Sequence, residues 1–394
     1  MNKIHKPVVE AIIENLRLIF AEGKFADKVI ASSLKKNAKW GSRDRKFIAE
    51  TTYEIVRNYR MLYSSVGTKN PWPLFAAYLV KREINFPEWK ELNGLNQKNI
   101  KRILIENKGF FSIAQSIPDW LDELGRAELK DKWENEITAL NQEAKVVLRT
   151  NFLKVSRDKL NQLLLNEGIE TEPHKELPEA LILAQRKNIF DTKAFKNGFF
   201  ELQDVSSQRV AHFMRLKEGM RVVDACAGGG GKSLHIASLL KNKGKVISMD
   251  VRENKLEELK RRAARAGVSN IETRVVNDDN LKKLEGYADT LLLDVPCSGL
   301  GVLRRNPDAK WKLTPEKIIA VRELQKNILS SYSPIVKSGG SLVYATCSIL
   351  PIENTEQIKK FLDSNKEFEM EEEKIIYPSE GFDGFYMCRL IRKK

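Results

Sequence analysis

Residues 221–232 read Arg-Val-Val-Asp-Ala-Cys-Ala-Gly-Gly-Gly-Gly-Lys. The apolar start of this stretch is typical of a buried strand, and the residues after Lys232 have the apolar spacing of a helix. Glycines at the end of a strand let the backbone approach a ligand closely, and the first turn of the following helix offers free N–H groups. The stretch therefore predicts a strand, a ligand-binding turn and a helix.

The same alternation of strand and helix patterns continues to the C-terminal part of the chain. The predicted strands cover 221–226, 245–250, 273–276, 290–295 and 341–347, and the predicted helices cover 232–241, 253–265, 315–336 and 353–363. This order is typical of an α/β protein with a doubly wound, Rossmann-like parallel sheet, in which ligands bind beyond the carboxyl ends of the strands. We therefore predict an α/β catalytic domain over residues 216–394.

Two modules precede this domain. Apolar residues at helical spacing recur through the first part of the chain, so we predict an all-α domain over residues 1–142. Residues 143–215 combine one helical segment with several short extended runs. This combination predicts a small α+β module that is joined to the catalytic domain.

The charge composition indicates a class of partner. Lys and Arg exceed Asp and Glu by 14 over the 394 residues, and residues 1–110 carry +10 of this charge. A basic first quarter indicates contact with a polyanion such as RNA, although a solvated basic surface would give the same count. We expect no membrane span and a cytoplasmic location, because no long uncharged apolar run and no apolar leader occur. The four cysteines and four histidines are too scattered to predict a disulfide framework or a metal site.

Acidic residues near the predicted strand ends indicate a nucleoside cofactor. Asp250 ends the second strand, where a carboxylate suits ribose hydroxyls, and Asp278 or its neighbour Asp279 follows the third, near the place of an adenine. The glycine turn lacks the dinucleotide fingerprint, because Ser233 stands at the third glycine position, and it is not a P-loop. These features favour S-adenosylmethionine over NAD; the alternative is a sheet whose acidic residues only cap helices. The predicted cofactor-binding residues are Cys226, Ala227, Gly228, Gly229, Gly230, Gly231, Lys232, Asp250, Asp278 and Asp294.

Two cysteines follow two further strands. The stretch 294–299 reads Asp-Val-Pro-Cys-Ser-Gly, and 345–348 reads Ala-Thr-Cys-Ser. If the strands pair in parallel, Cys297, Cys347 and the Asp294 carboxylate meet at one rim of the sheet. A thiolate that adds to carbon 6 of a pyrimidine makes carbon 5 nucleophilic, so a thiol beside a methyl donor suits covalent catalysis of methylation at carbon 5. A cation such as Lys232 would favour the thiolate.

These motifs resemble those of the RsmB/NOP/Sun family of RNA cytosine-5 methyltransferases. The two cysteine motifs and the Asp-Ala-Cys-Ala start of the glycine turn carry the resemblance, with further matching segments at 203–208, 304–311 and 383–386. It covers about 145–394. Over residues 1–142 a weaker resemblance to the NusB-like domain of the bacterial RsmB branch rests on 44–48. The family implies a class I methyltransferase fold, with an RRM-like small module before it.

The resemblance also implies roles for single residues. The cysteine of the Thr-Cys-Ser motif, Cys347, is the nucleophile, and that of the Pro-Cys motif, Cys297, assists product release. Asp294 contacts the base, and Lys232 lies near cofactor and base. One departure from the family is the Gly228-Gly229 pair, which stands where Ala-Pro is usual and implies a more flexible turn.

The expected function is therefore S-adenosylmethionine-dependent RNA (cytosine-5) methylation. The target base must leave any duplex, so single-stranded or loop RNA is the expected substrate. The RsmB branch implies 16S ribosomal RNA. The alternatives are the same chemistry on tRNA and a non-catalytic RNA-binding factor in ribosome assembly. Arg304, Arg305 and Lys310 are candidate RNA contacts, with an ordinary exposed loop as the equal alternative. No metal and no protein partner are expected.

Overall fold

The computed structural model describes residues 4–37 and 39–394, so positions 1–3 and 38 of the predicted helical domain lie outside the described residues. The chain divides into two compact units. One comprises residues 1–142 and 303–315, and the other comprises residues 143–302 and 316–394. Within the described ranges, no helix combines the length and the apolar character that crossing a membrane requires.

Helices and strands are labelled in chain order. The helices are α1 (Lys6–Phe20), α2 (Ala26–Lys36), α3 (Ser42–Arg57), α4 (Tyr59–Val66), α5 (Pro71–Lys81), α6 (Gln97–Glu106), α7 (Phe111–Ala114), α8 (Asp119–Leu129), α9 (Trp133–Leu140), α10 (Arg157–Asn166), α11 (Lys193–Lys196), α12 (Val205–Phe213), α13 (Gly231–Leu239), α14 (Glu253–Ala266), α15 (Asp278–Lys282), α16 (Ala309–Lys312), α17 (Pro315–Tyr332) and α18 (Thr355–Ser364). The strands are β1 (Val147–Thr150), β2 (Thr171–Pro173), β3 (Ala180–Leu183), β4 (Phe200–Leu202), β5 (Arg221–Asp224), β6 (Lys245–Asp250), β7 (Ile271–Val275), β8 (Ala288–Asp294), β9 (Val336–Thr346), β10 (Phe368–Ile376) and β11 (Phe385–Arg392).

The first unit is all-α, as its apolar spacing predicts. Helix α1 buries one face, whose residues recur at the i, i+3, i+4 spacing of an amphipathic helix. Helix α5 differs, because every side chain from Leu74 to Val80 is buried. A helix that is apolar on all sides has no periodicity to detect, and the sequence pattern therefore did not predict α5. Its start is well defined, since the Asn70 side chain accepts a hydrogen bond from the N–H of Trp72.

The structure places two of the predicted RNA-contacting residues in the interior of the helical unit. Arg304 donates a hydrogen bond from Nε to the carbonyl of Ala139 (2.7 Å), and Lys310 Nζ donates to the carbonyl of Arg57 (2.7 Å) and to Asn141 Oδ1 (3.0 Å). Both side chains are buried, at 4% and 1% exposure. The prediction that Arg304 and Lys310 contact RNA is therefore wrong. The carbonyls they meet belong to the last turns of α9 and α3, which carry partial negative charge.

The rest of the segment 303–315 supports the same conclusion. The indole Nε1 of Trp311 donates to the carbonyl of Val56 in the last turn of α3 (2.8 Å), and its ring meets Tyr59 edge to face. Trp311 is thus partly buried against the core of the helical unit. Arg305 is half-buried, and its contact with RNA stays a prediction.

The second unit contains the small module and the large sheet. In the module, four antiparallel strands lie in the order β2-β3-β1-β4. Leu160 and Leu164 of α10 pack with Leu148 and Leu181 of this sheet, so the expected α+β composition is present.

The large sheet has seven strands in the order β10-β11-β9-β8-β5-β6-β7. The five strands from β9 to β7 are parallel, as the strand–helix alternation predicts. Strands β10 and β11 are antiparallel additions next to β9 that the sequence pattern did not reveal. The expected fold class, a Rossmann-like doubly wound sheet preceded by helical and α+β parts, is confirmed.

Strand register determines which residues meet at the carboxyl edge of the sheet. Leu292 of β8 pairs with Asp224 of β5 on one side and with Val343 of β9 on the other. Asp294, at the end of β8, pairs with Ala345. The two cysteine-bearing loops therefore leave the sheet from adjacent parallel strands.

A buried hydrogen bond links β5 to the helix that follows it. Asp224 is 1% exposed and accepts a hydrogen bond from the Ser233 hydroxyl at 2.6 Å. Burial is the main reason why the pKa of Asp224 is raised from its ordinary 3.8 to about 7, and the nearby Asp294 charge acts in the same direction. The folded protein therefore keeps the proton of this carboxyl to a higher pH than the unfolded chain does.

We expect Lys310→Ala to lower the free energy of unfolding of the helical unit by about 2–4 kcal/mol, because it leaves buried carbonyl and amide oxygens without a donor. Denaturant unfolding followed by circular dichroism measures the change. Lys98→Ala, at an exposed position of α6, is the control and should change the transition by less than about 0.5 kcal/mol. Equal midpoints for the two variants would contradict a structural role of Lys310.

We expect Asp224→Asn to become more stable relative to the wild type as the pH rises from about 4 to about 7. In that window the unfolded chain has lost the proton that the folded chain retains, so wild-type stability falls with rising pH, at most by about 1.4 kcal/mol per pH unit. Unfolding free energies at several pH values test this, with the exposed Asp279→Asn as control. A difference in unfolding free energy between Asp224→Asn and the wild type that stays constant from about pH 4 to about pH 8 would contradict the raised pKa of Asp224.

Candidate active site

The two sulfur atoms that the sequence predicts to meet do lie together. Cys297 follows β8, Cys347 follows β9, and their Sγ atoms are 2.9 Å apart as free thiols in hydrogen-bond contact. Both side chains are partly exposed. The hydrogen bond to Cys347 and burial raise the pKa of the Cys297 thiol well above its usual range.

A buried carboxylate joins the two cysteine loops. Glu353 is fully buried, and its Oε1 accepts hydrogen bonds from the hydroxyls of Ser298 and Ser348, each at 2.5 Å. Its Oε2 accepts from the N–H of Ser298 (2.8 Å) and from Nε2 of Gln325 (3.0 Å). The two serines directly follow Cys297 and Cys347 in the chain, so one side chain holds both loops.

Further hydrogen bonds hold the Cys347 loop. Asn354 accepts from the Thr346 hydroxyl (2.6 Å) and donates to the Ser348 carbonyl (3.0 Å). The N–H of Gly301 donates to the Cys347 carbonyl (2.9 Å), and the N–H of Gly384 donates to the Gly301 carbonyl (2.8 Å). A Cβ at Gly301 would collide with the Gly384 backbone, so this close approach requires glycine.

Lys232 and Asp294 form an ion pair at the same edge of the sheet. Lys232 Nζ lies 2.6 Å from Asp294 Oδ2, and the pair is mostly buried. The ammonium also lies 5.0 Å from the ring centroid of Phe385, at the start of β11. The helix that begins at the glycine turn and the strand that carries the Pro-Cys motif are thereby joined by two of the predicted catalytic residues.

The glycine turn and Asp250 make the cofactor end of the site. Asp250 Oδ2 accepts a hydrogen bond from the Gly228 N–H (2.9 Å), and Oδ1 accepts from the Arg252 N–H (2.8 Å). Gly228 and Gly230 have φ values of +52° and +84°, where residues with a Cβ are strained. A Cβ at Gly230 would also collide with Leu259.

These residues fit the predicted cofactor. No neighbouring atom lies within 4 Å of where a Cβ would stand at Gly228 or Gly231, so the turn leaves room for a ligand next to the backbone. The start of α13 adds N–H groups, and Asp250 is a carboxylate at the place that suits a ribose. Asp278 and Asp279 are both exposed in the first turn of α15, and the contact of Asp278 with adenine stays a prediction.

Two of the four cysteines are packed rather than paired with Cys297 or Cys347. Cys388 is fully buried in the core of the large sheet, and Cys226 packs against the same core from the start of the glycine turn. Burial raises the pKa of the Cys226 thiol well above its usual range. The contact of Cys226 with the cofactor stays a prediction.

Sequence reasoning missed Arg149, which supports the glycine turn from the small module. Its Nη1 donates to the Gly231 carbonyl at 2.6 Å and also contacts Gln203 Oε1. Burial lowers the pKa of the Arg149 guanidinium to about 10. From the other side, Arg262 donates to the Gly229 carbonyl at 2.6 Å. The turn that the glycine pair was expected to loosen is thus held at two carbonyls.

Two histidines that are far apart in sequence also meet. His212 Nε2 and His235 Nε2 lie 2.6 Å and 2.8 Å from the same oxygen of the buried Glu179. This group belongs to α12, α13 and the loop before β3. Burial lowers the pKa of His235 to about 4, so that ring is neutral near pH 7. Its residue types are those of metal ligands. The expectation that the chain binds no metal stays a prediction.

Comparison with known proteins gives consistent matches. A family model described as 16S rRNA methyltransferase RsmB/F matches residues 211–390, and a ferredoxin-like domain model of RsmF/B-like methyltransferases matches 117–190. The probable ribosomal RNA small subunit methyltransferase B of Synechocystis is 30% identical over 90% of this chain and 89% of its own length. The Vibrio vulnificus protein named ribosomal RNA small subunit methyltransferase B is 33% identical over 70% of this chain and 66% of its own length.

Solved structures agree on the fold. PH0851 superposes over the whole of both chains with a TM-score of 0.85 at 24% identity. NSun6 from Pyrococcus horikoshii, solved with SFG, covers 70% of this chain with a TM-score of 0.65 at 23% identity. The chain matches a curated relative along nearly its full length, and it has the paired thiols and the Lys232–Asp294 ion pair. It therefore belongs to the RsmB/F family of S-adenosylmethionine-dependent methyltransferases.

Proposed function

We propose that this chain methylates carbon 5 of a cytosine in small-subunit ribosomal RNA. The observation that carries the proposal is the 2.9 Å approach of the Cys297 and Cys347 sulfur atoms at the edge where Lys232 and Asp294 pair. One thiol beside a cofactor site is compatible with many roles. Two thiols and a carboxylate at one edge match the needs of covalent pyrimidine chemistry. The names of the curated relatives support ribosomal RNA as the substrate.

S-adenosylmethionine, when bound at the glycine turn and Asp250, supplies an electrophilic methyl group. Cys347 acts as the nucleophile: its thiolate adds to carbon 6 of the cytosine, and the electron pair displaced from the C5–C6 double bond makes carbon 5 nucleophilic. Cys297 donates its S–H hydrogen bond to the Cys347 sulfur and so stabilises the thiolate before attack. Asp294 contacts the N3 edge of the base, with Lys232 holding its carboxylate in place.

Release of the product requires that the addition of Cys347 to the ring be reversed. After carbon 5 has been methylated, its proton must leave to a base, and the bond between carbon 6 and Cys347 must break to restore the double bond. Cys297 is the group next to the departing sulfur. It therefore acts in this second stage, either by passing its own proton to the departing Cys347 sulfur and taking up the carbon 5 proton in its place, or by positioning the base that takes up the carbon 5 proton.

We expect the two thiols to give different phenotypes. Cys347→Ser should abolish methyl transfer, because a hydroxyl is a far weaker nucleophile. Cys297→Ala should let a covalent protein–RNA adduct accumulate, because attack proceeds and release does not. Labelled S-adenosylmethionine with total RNA measures transfer, and denaturing electrophoresis measures the adduct.

Cys388→Ala is the matched control, since it removes a buried thiol from β11 away from the reactive pair, and it should retain wild-type transfer. Absence of an adduct from both Cys297→Ala and Cys347→Ser would contradict the assigned roles. Mapping the label separates the alternatives. Label in 5-methylcytidine of ribosomal RNA supports the proposal, and label only in tRNA changes the substrate. A protein that binds RNA and S-adenosylmethionine without any transfer is an assembly factor.

A further inference from the structure

A carboxylate is seldom buried as completely as that of Glu353 without a specific reason. It lies in the short 3₁₀ segment between β9 and α18, and none of its surface reaches solvent. Its four hydrogen-bond donors, three from the two serines and one from Gln325, are all neutral. Taking a charged carboxylate out of water is costly, so its hydrogen bonds must be well made for it to be retained there.

The geometry of these bonds connects the two reactive thiols. Ser298 follows Cys297 directly, and Ser348 follows Cys347 directly, and both hydroxyls converge on one oxygen of Glu353. The Ser298 N–H, at the peptide bond after Cys297, donates to the other oxygen. Each cysteine is therefore one residue away from an anchor on the same side chain, although the two are 50 positions apart in the chain.

We propose that Glu353 is a positioning residue that sets the distance between the Cys297 and Cys347 sulfur atoms. The segment that carries Glu353 is itself held from β9, because the Tyr344 hydroxyl donates a hydrogen bond to the Glu353 carbonyl. The two cysteine loops therefore share one anchor, and that anchor is fixed to the sheet.

The first experiment does not depend on the proposed function. The azo oxidant diamide removes two protons and two electrons from a pair of thiols, which forms one S–S bond and leaves the oxidant as its hydrazine. Its rate with Cys297 and Cys347 reports how well the two sulfur atoms are held together. Mass spectrometry of the intact chain and its peptides measures this rate, and thermal denaturation verifies that each variant is folded.

The variants distinguish the loss of the hydrogen-bonding side chain at position 353 from a general loss of structure. Glu353→Ala removes both acceptor oxygens, and with them all four hydrogen bonds, and should slow disulfide formation about tenfold or more. Glu353→Gln keeps the shape, because its oxygen can accept from the Ser298 N–H and Gln325 while its NH₂ donates to the serine hydroxyls, and it should stay within about threefold of the wild type. Glu356→Ala, three residues further on and nearly half exposed, is the matched control and should not change the rate.

Ser348→Ala provides a variant in case Glu353→Ala does not fold. It removes one anchor and should slow disulfide formation by about threefold to tenfold. The proposal is overturned if Glu353→Ala, or Ser348→Ala in its place, forms the disulfide at the wild-type rate. It is also overturned if Glu353→Gln is as slow as Glu353→Ala, because position would then not depend on the hydrogen-bonding shape.

The second experiment rests on the proposed function. Single-turnover methyl transfer should fall about 100-fold in Glu353→Ala and recover in Glu353→Gln, while the affinity for S-adenosylmethionine changes less than about twofold. A merely structural role would reduce both together, and that result counts against the inference. If the wild type itself transfers no methyl group to RNA, the proposed function fails, and the oxidation rates still decide the role of Glu353.

Discussion

The parallel pairing of β8 with β9 determines where the two cysteine loops leave the sheet. It joins Asp294 to Ala345 in register, so the chain leaves the sheet at the same level from both strands. Cys297 and Cys347 then need only three residues and one residue beyond the strand ends to meet. A shift of the register by one residue would turn the side chains of one strand to the other face of the sheet, and the two loops would no longer meet.

Parallel pairing brings the loops together and leaves them with unsatisfied polar groups in a buried place. The loop after each strand carries N–H and hydroxyl donors that water does not reach, and each needs an acceptor. Glu353 and Asn354 supply acceptors for both loops within one short segment. The groups that need hydrogen-bond partners are next to the two thiols. The same two side chains therefore satisfy the buried polar groups and fix the positions of the cysteine loops.

The sequence predicted what depends on local pattern. Strand β6 was predicted at its observed bounds, and the cysteine motifs mark the ends of adjacent strands as expected. The failures have a common cause, since each depends on distant parts of the chain. In the sequence, nothing distinguishes Lys310 from a surface lysine. In the structure, the last turn of α3, 253 positions away, supplies an acceptor for its buried ammonium. Glu353 begins the polar run 353–357, and nothing near it in the sequence indicates that two loops will enclose it.

The small module supports the glycine turn of the large sheet, although it precedes that sheet in the chain. Arg149 of β1 holds the Gly231 carbonyl, and Glu201 of β4 pairs with Arg262, which in turn holds the Gly229 carbonyl. The glycine turn needs positive φ values and open space for a ligand, so its own residues contribute no side chains to hold it. Rigidity must come from outside the turn, and two buried or half-buried arginines supply it. The module is for this reason a structural part of the cofactor site, and its contacts offset the freedom that a Gly-Gly pair gives the backbone.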